Sequence, residues 1–220
     1  YAHWGHKEFV LCLGYKGQVI KDFFLNYEAS TSDLTLTLGK HGSVDYHNEH
    51  GEMGWRVTLA ETGLNTLTGS RLKRVQHYLA GEDNFMLTYG DGVGTVNIDK
   101  LIEFHHSHGK VMTVSGVRPP GRFGELEYNN QQAITGFNEK PQASGGHISG
   151  GYFVCRKEIF DYIDLEGNIT LEQAPMQNLA NDGQMMMYEH DGFWQPMDTY
   201  RDYKMLNGLI EQQKAPWVVW

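Results

Sequence analysis

Short, mostly apolar runs alternate along this chain with segments of helical spacing, and that alternation predicts an α/β fold. The run EFVLCLGY (8–15) is almost continuously apolar up to Gly14, the pattern of a strand covered on both faces, and VIKDFFLNY behind it has helical spacing. FMLTYGD (85–91) repeats the strand pattern. Beyond its glycine-rich turn, Asn97 can cap a helix that sets Ile98, Leu101, Ile102 and His105 on one face and ends at Gly109.

KVMTVSGV (110–117) predicts a third strand, and GELEY, the pair Asn129–Asn130 and QAITGFNEK predict a hairpin appended to the sheet and ending at Lys140–Pro141. HISGGYFVC (147–155) reads as a further strand with helical KEIFDYI behind it. Thr170 and Gln173 have capping-box spacing ahead of LEQAPMQNLA; QMMMYEH is strand-like, its methionines packing on alternate faces. Thr199 and Asp202 form a second capping-box pattern, opening a last helix with Tyr203, Leu206 and Ile210 on one face.

Length and charge narrow the class. A chain of 220 residues fits one domain with its own core. A net charge of -9 argues against a general nucleic-acid binder, although local cations or a metal ion can still receive an anion. Cys12 and Cys155 lie in separate apolar runs without CxxC pairing, which predicts buried thiols in a reducing compartment. No run approaches the ~20 apolar residues of a membrane span, and Tyr1 opens no signal peptide, so a soluble cytoplasmic protein without membrane partners is expected. Tyr1 stands almost directly before the first strand, with no glycine-rich βα turn ahead of it, so the expectation is one domain over 1–220, N-terminally incomplete.

Several side chains are placed for chemistry. Thr68-Gly69-Ser70 leads into a helix with apolar Leu72, Val75 and Leu79, and N–H groups at its start could receive an anion. Arg71 stands in the first turn, where a cation opposes the helix dipole unless an anion joins it; the alternative is a solvated basic face with Lys73 and Arg74. Asp91 sits at the carboxyl end of a predicted strand, the edge where open α/β sheets bind ligands, with Gly90 and Gly92 permitting close approach; an ordinary turn aspartate is the alternative.

Mg²⁺ takes one or two carboxylates and completes its octahedron with phosphates and water, so Asp91 needs a distant partner. Asp198 in GFWQPMDT suits, since Pro196 and the following helix fix its backbone and Thr199 can take over the capping role. Lys140, held by Pro141, offers a point charge to a phosphate, and Glu139 can accept from sugar hydroxyls; a surface pair is the alternative. His105, His106 and His108 fall on different faces of a helix, which predicts a solvated helix end rather than a metal clamp. The tail APWVVW exposes apolar groups that could dock on a second copy, a possible homo-oligomer.

TGSRLKRV, TYGDGV, PPGRFGEL, NEKP, SGGYFV and GFWQPMDT, in this order, resemble the sugar-1-phosphate nucleotidyltransferases over nearly the whole chain. The resemblance implies a Rossmann-like nucleotidyltransferase fold, a mixed and mostly parallel sheet flanked by helices with an appended β-hairpin, here lacking the first strand and the GGxGTR-type loop that cradles the triphosphate. It implies Mg²⁺-dependent cytidylyl transfer from CTP to glucose 1-phosphate, giving CDP-glucose and pyrophosphate for surface polysaccharide (O-antigen) synthesis. An inactive truncated binding module and a reaction with UTP or dTTP are the alternatives.

Residue by residue, the resemblance makes Asp91 and Asp198 the Mg²⁺ ligands and gives Arg71 and Asp91 catalytic roles. It gives Thr66, Arg71 and Gly90 to the nucleotide, Glu139 and Lys140 to the sugar phosphate, and Gly151 to the sugar-pocket wall. Two positions depart from the family pattern: Ser70 stands for the second glycine of its TGGR segment, and Ser149 for the asparagine before its paired glycines.

Overall fold

A computed structural model describes residues 1–47, 50–119, 125–138, 146–164 and 166–219. The chain divides into two compact units, Tyr1–Gly81 with Ile163–Pro175, and Glu82–Tyr162 with Met176–Trp220.

In the first unit, β1 (Glu8–Leu13) leads to α1 (Gly17–Leu25) and a short α2 (Tyr27–Thr31). A hairpin of β2 (Leu34–Thr37) and β3 (Ser43–Tyr46) follows, then β4 (Arg56–Glu61) and α3 (Thr68–Arg74). β4 lies parallel to β1, from Glu8 opposite Arg56 to Leu13 opposite Glu61. Leu13, Ala60, Leu72, Val75 and Leu171 form the buried apolar centre of this unit. The predicted helix through Leu79 is shorter: α3 gives way to a 3-10 turn over Gln76–Leu79.

The second unit contains β5 (Asn84–Thr88), β6 (Gly92–Gly94), α4 (Ile98–His108), β7 (Met112–Val117), the hairpin β8 (Glu125–Tyr128) and β9 (Ile134–Asn138), and β10 (Ile148–Arg156). It continues with α5 (Ala174–Asn181, beginning in the first unit), β11 (Met185–His190), β12 (Trp194–Pro196) and α6 (Tyr200–Glu211). Its main sheet has the order β11-β7-β10-β5. β7 runs parallel to β11, and β10 runs antiparallel to both β7 and β5, so β5, β7 and β11 point the same way and end along one edge.

Every residue of β7 is buried, as a near-continuous apolar run between two partner strands requires. Helix α4 packs against β7, β10 and β11; Asn97 caps it by accepting from Lys100 N at 2.9 Å, and Gly109 closes it at φ 63°. The core here includes Leu101, Met112, Val117, Phe153, Cys155, Ile159 and Leu179. Cys12 and Cys155 are both free thiols; Cys155 is buried and its pKa is pushed up by burial, while Cys12 is half-buried.

Five local expectations change. KEIFDYI forms a 3-10 helix over Lys157–Tyr162. Thr170 and Gln173 make a turn, Gln173 N donating to Thr170 O at 3.2 Å, and α5 starts only at Ala174, where Pro175 needs no N–H partner in the first turn. On α6 only Leu206 is buried, while Tyr203 and Ile210 stay about half exposed. Met186 and Met187 lie on the outer strand of the sheet and are partly exposed. His105 does not belong to a solvated helix end: it is 1% exposed, with Nδ1 2.8 Å from Thr113 Oγ1 and Nε2 3.3 Å from Asn84 Oδ1.

Among the described residues no helix is long and apolar enough to cross a membrane. In the tail, Trp217 stacks on Phe193 with ring centroids 5.3 Å apart, while Val218 and Val219 remain exposed.

Candidate active site

The expected glycine turn after β5 falls at Gly90 and Asp91, and Gly92–Gly94 beyond it form a short strand. β6 pairs antiparallel with β12, Gly92 opposite Pro196, Val93 opposite Gln195 and Gly94 opposite Trp194. The ladder continues at both ends: Met197 N donates to Asp91 O at 2.7 Å, and Thr95 N donates to Phe193 O at 2.9 Å. Asp91 is therefore paired in register with the residue just before Asp198. Both aspartates are exposed, three residues past the end of β5 in one case and at the end of the β12 ladder in the other.

Helix α6 begins immediately after Asp198. Thr199 is its N-cap, accepting from Asp202 N at 3.2 Å, and the Asp202 carboxylate accepts from Thr199 N at 3.0 Å. Thr199 thus does the capping, as its spacing with Asp202 predicts, and Asp198 precedes the cap. Gly90 has no φ in the left-handed region, and a Cβ there would meet no atom of the chain within 4 Å. The packing of the described residues gives no reason for a glycine at that point.

Two exposed carboxylates delivered by one ladder suit a hard divalent cation, whose remaining positions are filled by phosphate oxygens and water. Asp91 and Asp198 are the residues that would hold such an ion.

A second set of bonds ties the ribbon to the main sheet. The register of β10 shifts between Ser149 and Phe153, where Gly151 takes φ +77°. A Cβ on Gly150 would come within 2.6 Å of Val117 Cγ1 and 2.7 Å of Ser115 Oγ, so this bulge admits no side chain at position 150. The carbonyl of Gly150 accepts from Trp194 Nε1 at 2.8 Å, and Tyr152 Oη donates to Gly92 O at 3.3 Å. Ser149 Oγ accepts from Gly151 N at 3.4 Å, so the departure at 149 places a hydroxyl inside the bulge. Tyr152 and Trp194 carry no signal in the sequence beyond their place beside SGG and GFW.

In the first unit, the guanidinium of Arg71 bonds to two main-chain carbonyls and one hydroxyl. Its Nη1 donates to Leu13 O at 2.9 Å and to Thr62 Oγ1 at 2.7 Å, and its Nη2 donates to Leu64 O at 3.3 Å. Thr62 itself donates to Leu13 O through N and Oγ1, at 3.0 and 2.8 Å. Arg71 therefore fastens the end of β1 to the turn after β4. Thr66 is half-buried beside it, its Oγ1 accepting from Arg74 Nη1 at 2.9 Å.

Of the N–H groups at the start of α3, read from the sequence as an anion receptor, those of Leu67, Ser70 and Arg71 have internal partners. Leu67 N donates to Asn168 Oδ1 at 2.7 Å, Ser70 N to Ile169 O at 3.1 Å, and Arg71 N to Leu67 O at 2.9 Å. The Ser70 hydroxyl, 5% exposed as a residue, accepts from Ile169 N at 2.7 Å and donates to Gly167 O at 3.0 Å. The serine that departs from the family's glycine thus stitches the 167–169 segment to this helix. Glu139 and Lys140 lie outside the described residues.

At the edge where β7 and β11 end, Arg118, His147, Glu189 and Asp191 form a charged cluster that the sequence reading did not find. Arg118 Nε donates to Asp191 Oδ1 at 2.9 Å, and its Nη2 lies 3.6 Å from Glu189 Oε1. His147 Nε2 approaches Glu189 Oε1 to 3.1 Å without hydrogen-bond alignment. The ligand atoms of His147, Glu189 and Asp191 fall within 4.8 Å of one another, but the Arg118 guanidinium already supplies a cation to them.

Comparisons with known proteins agree on one family. Residues 35–213 match the nucleotidyl transferase family model. The whole chain is 45% identical to a glucose-1-phosphate cytidylyltransferase of Salmonella typhimurium and 40% identical to a probable glucose-1-phosphate cytidylyltransferase of Bacillus subtilis, spanning 84% of each. Among solved structures, HddC from Yersinia pseudotuberculosis superposes with a TM-score of 0.61 at 19% identity, over 93% of this chain and 79% of that one, a likeness of fold.

Proposed function

Because the chain belongs to the sugar-1-phosphate branch of the nucleotidyl transferase family, we propose that it makes CDP-glucose and pyrophosphate from CTP and α-D-glucose 1-phosphate, with Mg²⁺. The observation that carries this reading is the 45% identity, over the full chain, to a glucose-1-phosphate cytidylyltransferase. The pairing of Asp91 with Met197, which brings Asp198 to the same ribbon end, supports it.

A phosphate oxygen of glucose 1-phosphate attacks the α-phosphorus of CTP. A new P–O bond forms as the bond from that phosphorus to the bridging oxygen breaks, and pyrophosphate leaves. Both substrates are anions, so positioning and charge neutralisation dominate the barrier. Mg²⁺, when bound, supplies positive charge to the nucleotide phosphates. Asp91 and Asp198 orient that charge from the ribbon end, and Gly90 leaves the backbone beside Asp91 bare for close approach.

The remaining assignments rest on the family resemblance: Thr66 and Arg71 toward the nucleotide, Glu139 and Lys140 toward the sugar phosphate, Gly151 along the sugar pocket. The bonds of Arg71 to Leu13 and Thr62 give it a positioning part besides any contact with nucleotide. The product would feed surface polysaccharide synthesis in the cytoplasm, and the exposed Val218 and Val219 are where a second copy would dock.

Pyrophosphate release with glucose 1-phosphate and Mg²⁺, compared across CTP, UTP and dTTP, tests the proposal. Faster release with CTP supports it. A preference for another nucleotide overturns the base assignment, and no release or thermal shift with any of them overturns the catalytic reading.

A further inference from the structure

A two-stranded ribbon with three-residue strands is marginal by itself, yet this one carries both candidate metal ligands. Its stability has to come from elsewhere.

In an antiparallel pair the N–H and C=O of successive residues point alternately toward and away from the partner strand. The bonds at Asp91 and Thr95 direct the odd-numbered residues of this stretch toward β12. The main-chain groups of Gly92 and Gly94 therefore face the other edge of β6. On that edge lies the phenol of Tyr152, which donates to Gly92 O at 3.3 Å.

Tyr152 belongs to the main sheet: in β10 it pairs with Thr88 of β5, and its N donates to Ser115 Oγ of β7 at 3.4 Å. The hydroxyl thus ties the start of β6 to the main sheet. Burial pushes the phenol's pKa up, so it remains a protonated donor at neutral pH. The second tie, Trp194 Nε1 to Gly150 O, holds the β12 side.

We infer that Tyr152 is a positioning residue for the metal-binding carboxylates, its hydroxyl fixing Gly92 and hence the adjacent Asp91 in register with Met197, the residue before Asp198. This rests on the reading of Asp91 and Asp198 as the metal pair. Tyr152→Phe keeps the buried ring and removes only the bridging hydroxyl.

The test is Mn²⁺ binding by the full chain with saturating CTP, followed by water-proton relaxation, for the parent, Tyr152→Phe and Asp91→Asn, each alongside a thermal melt. The expected result is a roughly three- to tenfold weaker Mn²⁺ affinity in Tyr152→Phe, the worth of one hydrogen bond, with a melting temperature close to the parent's. Pyrophosphate release should then recover toward the parent rate as Mg²⁺ is raised. Parent-like Mn²⁺ affinity in Tyr152→Phe, with Asp91→Asn impaired, overturns this inference alone. Weaker binding that merely follows a lower melting temperature also overturns it, as a general loss of structure. Parent-like affinity in Asp91→Asn overturns the metal reading itself.

Discussion

The backbone N–H of Met197 donates to the carbonyl of Asp91 at 2.7 Å, and that bond sets the residue before Asp198 opposite the residue that follows Gly90. Two acids far apart in the chain are brought to one ribbon end by main-chain pairing. Neither carboxylate takes part in that pairing, and both remain exposed.

Asp91→Asn and Asp198→Asn should each lower Mg²⁺-dependent pyrophosphate release by about 100-fold or more, because an amide loses the charge a hard cation requires. Far-UV circular dichroism should be unchanged. Turnover at the parent rate in either variant would sink the metal assignment.

Gly14 and Arg71 form a linked pair, since a Cβ at Gly14 would overlap the Arg71 guanidinium. Gly14→Ala should displace that group from Leu13 O and Thr62 Oγ1, and Arg71→Met should remove it. Each is expected to cost about 3 kcal/mol from lost charged hydrogen bonds, a fall in melting temperature on the order of 5–10 °C. Calorimetry decides, and a melt within 1–2 °C of the parent, roughly the scatter of a neutral substitution, would refute the clamp.

Ser70→Gly restores the family's glycine but strips the hydroxyl from Ile169 N and Gly167 O. The buried bonds lost predict a destabilisation of about 1–3 kcal/mol in denaturant unfolding. Equal or greater stability would show that the serine is not a stitch.

Gly151→Ala tests the bulge that presents Gly150 O to Trp194. Its φ of +77° disfavours an L side chain, and the new Cβ would stand 3.1 Å from Tyr89 Cδ2. A loss of about 1–3 kcal/mol is expected, with weaker glucose 1-phosphate binding in a titration if the bulge also lines the sugar pocket.

His105 predicts an acid limb. Burial first, then the charges of His108, His106 and Arg156, lowers its pKa from 6.5 to about 4. Between those values the unfolded chain binds the proton and the folded chain does not, so stability is full above pH ~6.5 and falls as pH drops toward ~4, by at most about 1.4 kcal/mol per unit. Urea midpoints across this window should flatten in His105→Gln, and an unchanged slope would exclude His105 as the cause.

How much of this was legible in the chain differs by element. β1, β5, β7 and β10 announce themselves as runs of mostly apolar residues, although only β7 and β10 are largely buried, and the α4 and α6 caps because Asn97 and the Thr199–Asp202 pair have fixed local spacing. β2, β3 and β4 went unread: LTLT and SVDY alternate apolar and polar residues but are four residues long and mostly exposed, and Arg56, Thr58 and Glu61 interrupt the apolar residues of RVTLAE. The solvated reading of His105 failed because its burial depends on Thr113 and Asn84, which no local pattern places beside it.

The sequence by itself determined the α/β class, the caps of α4 and α6, the family and the two aspartates worth testing, since each rests on residue type at short spacing or on ordered motifs. Only the tertiary structure decided that Gly92–Gly94 of the glycine-rich stretch form a strand, that Met197 pairs with Asp91 at its end, that Tyr152 bonds its other edge, and that Arg71 and Ser70 are held within the fold. Those facts are pairings between residues distant in the chain, and hydrogen bonds of that kind follow from register and three-dimensional proximity, which local composition does not encode.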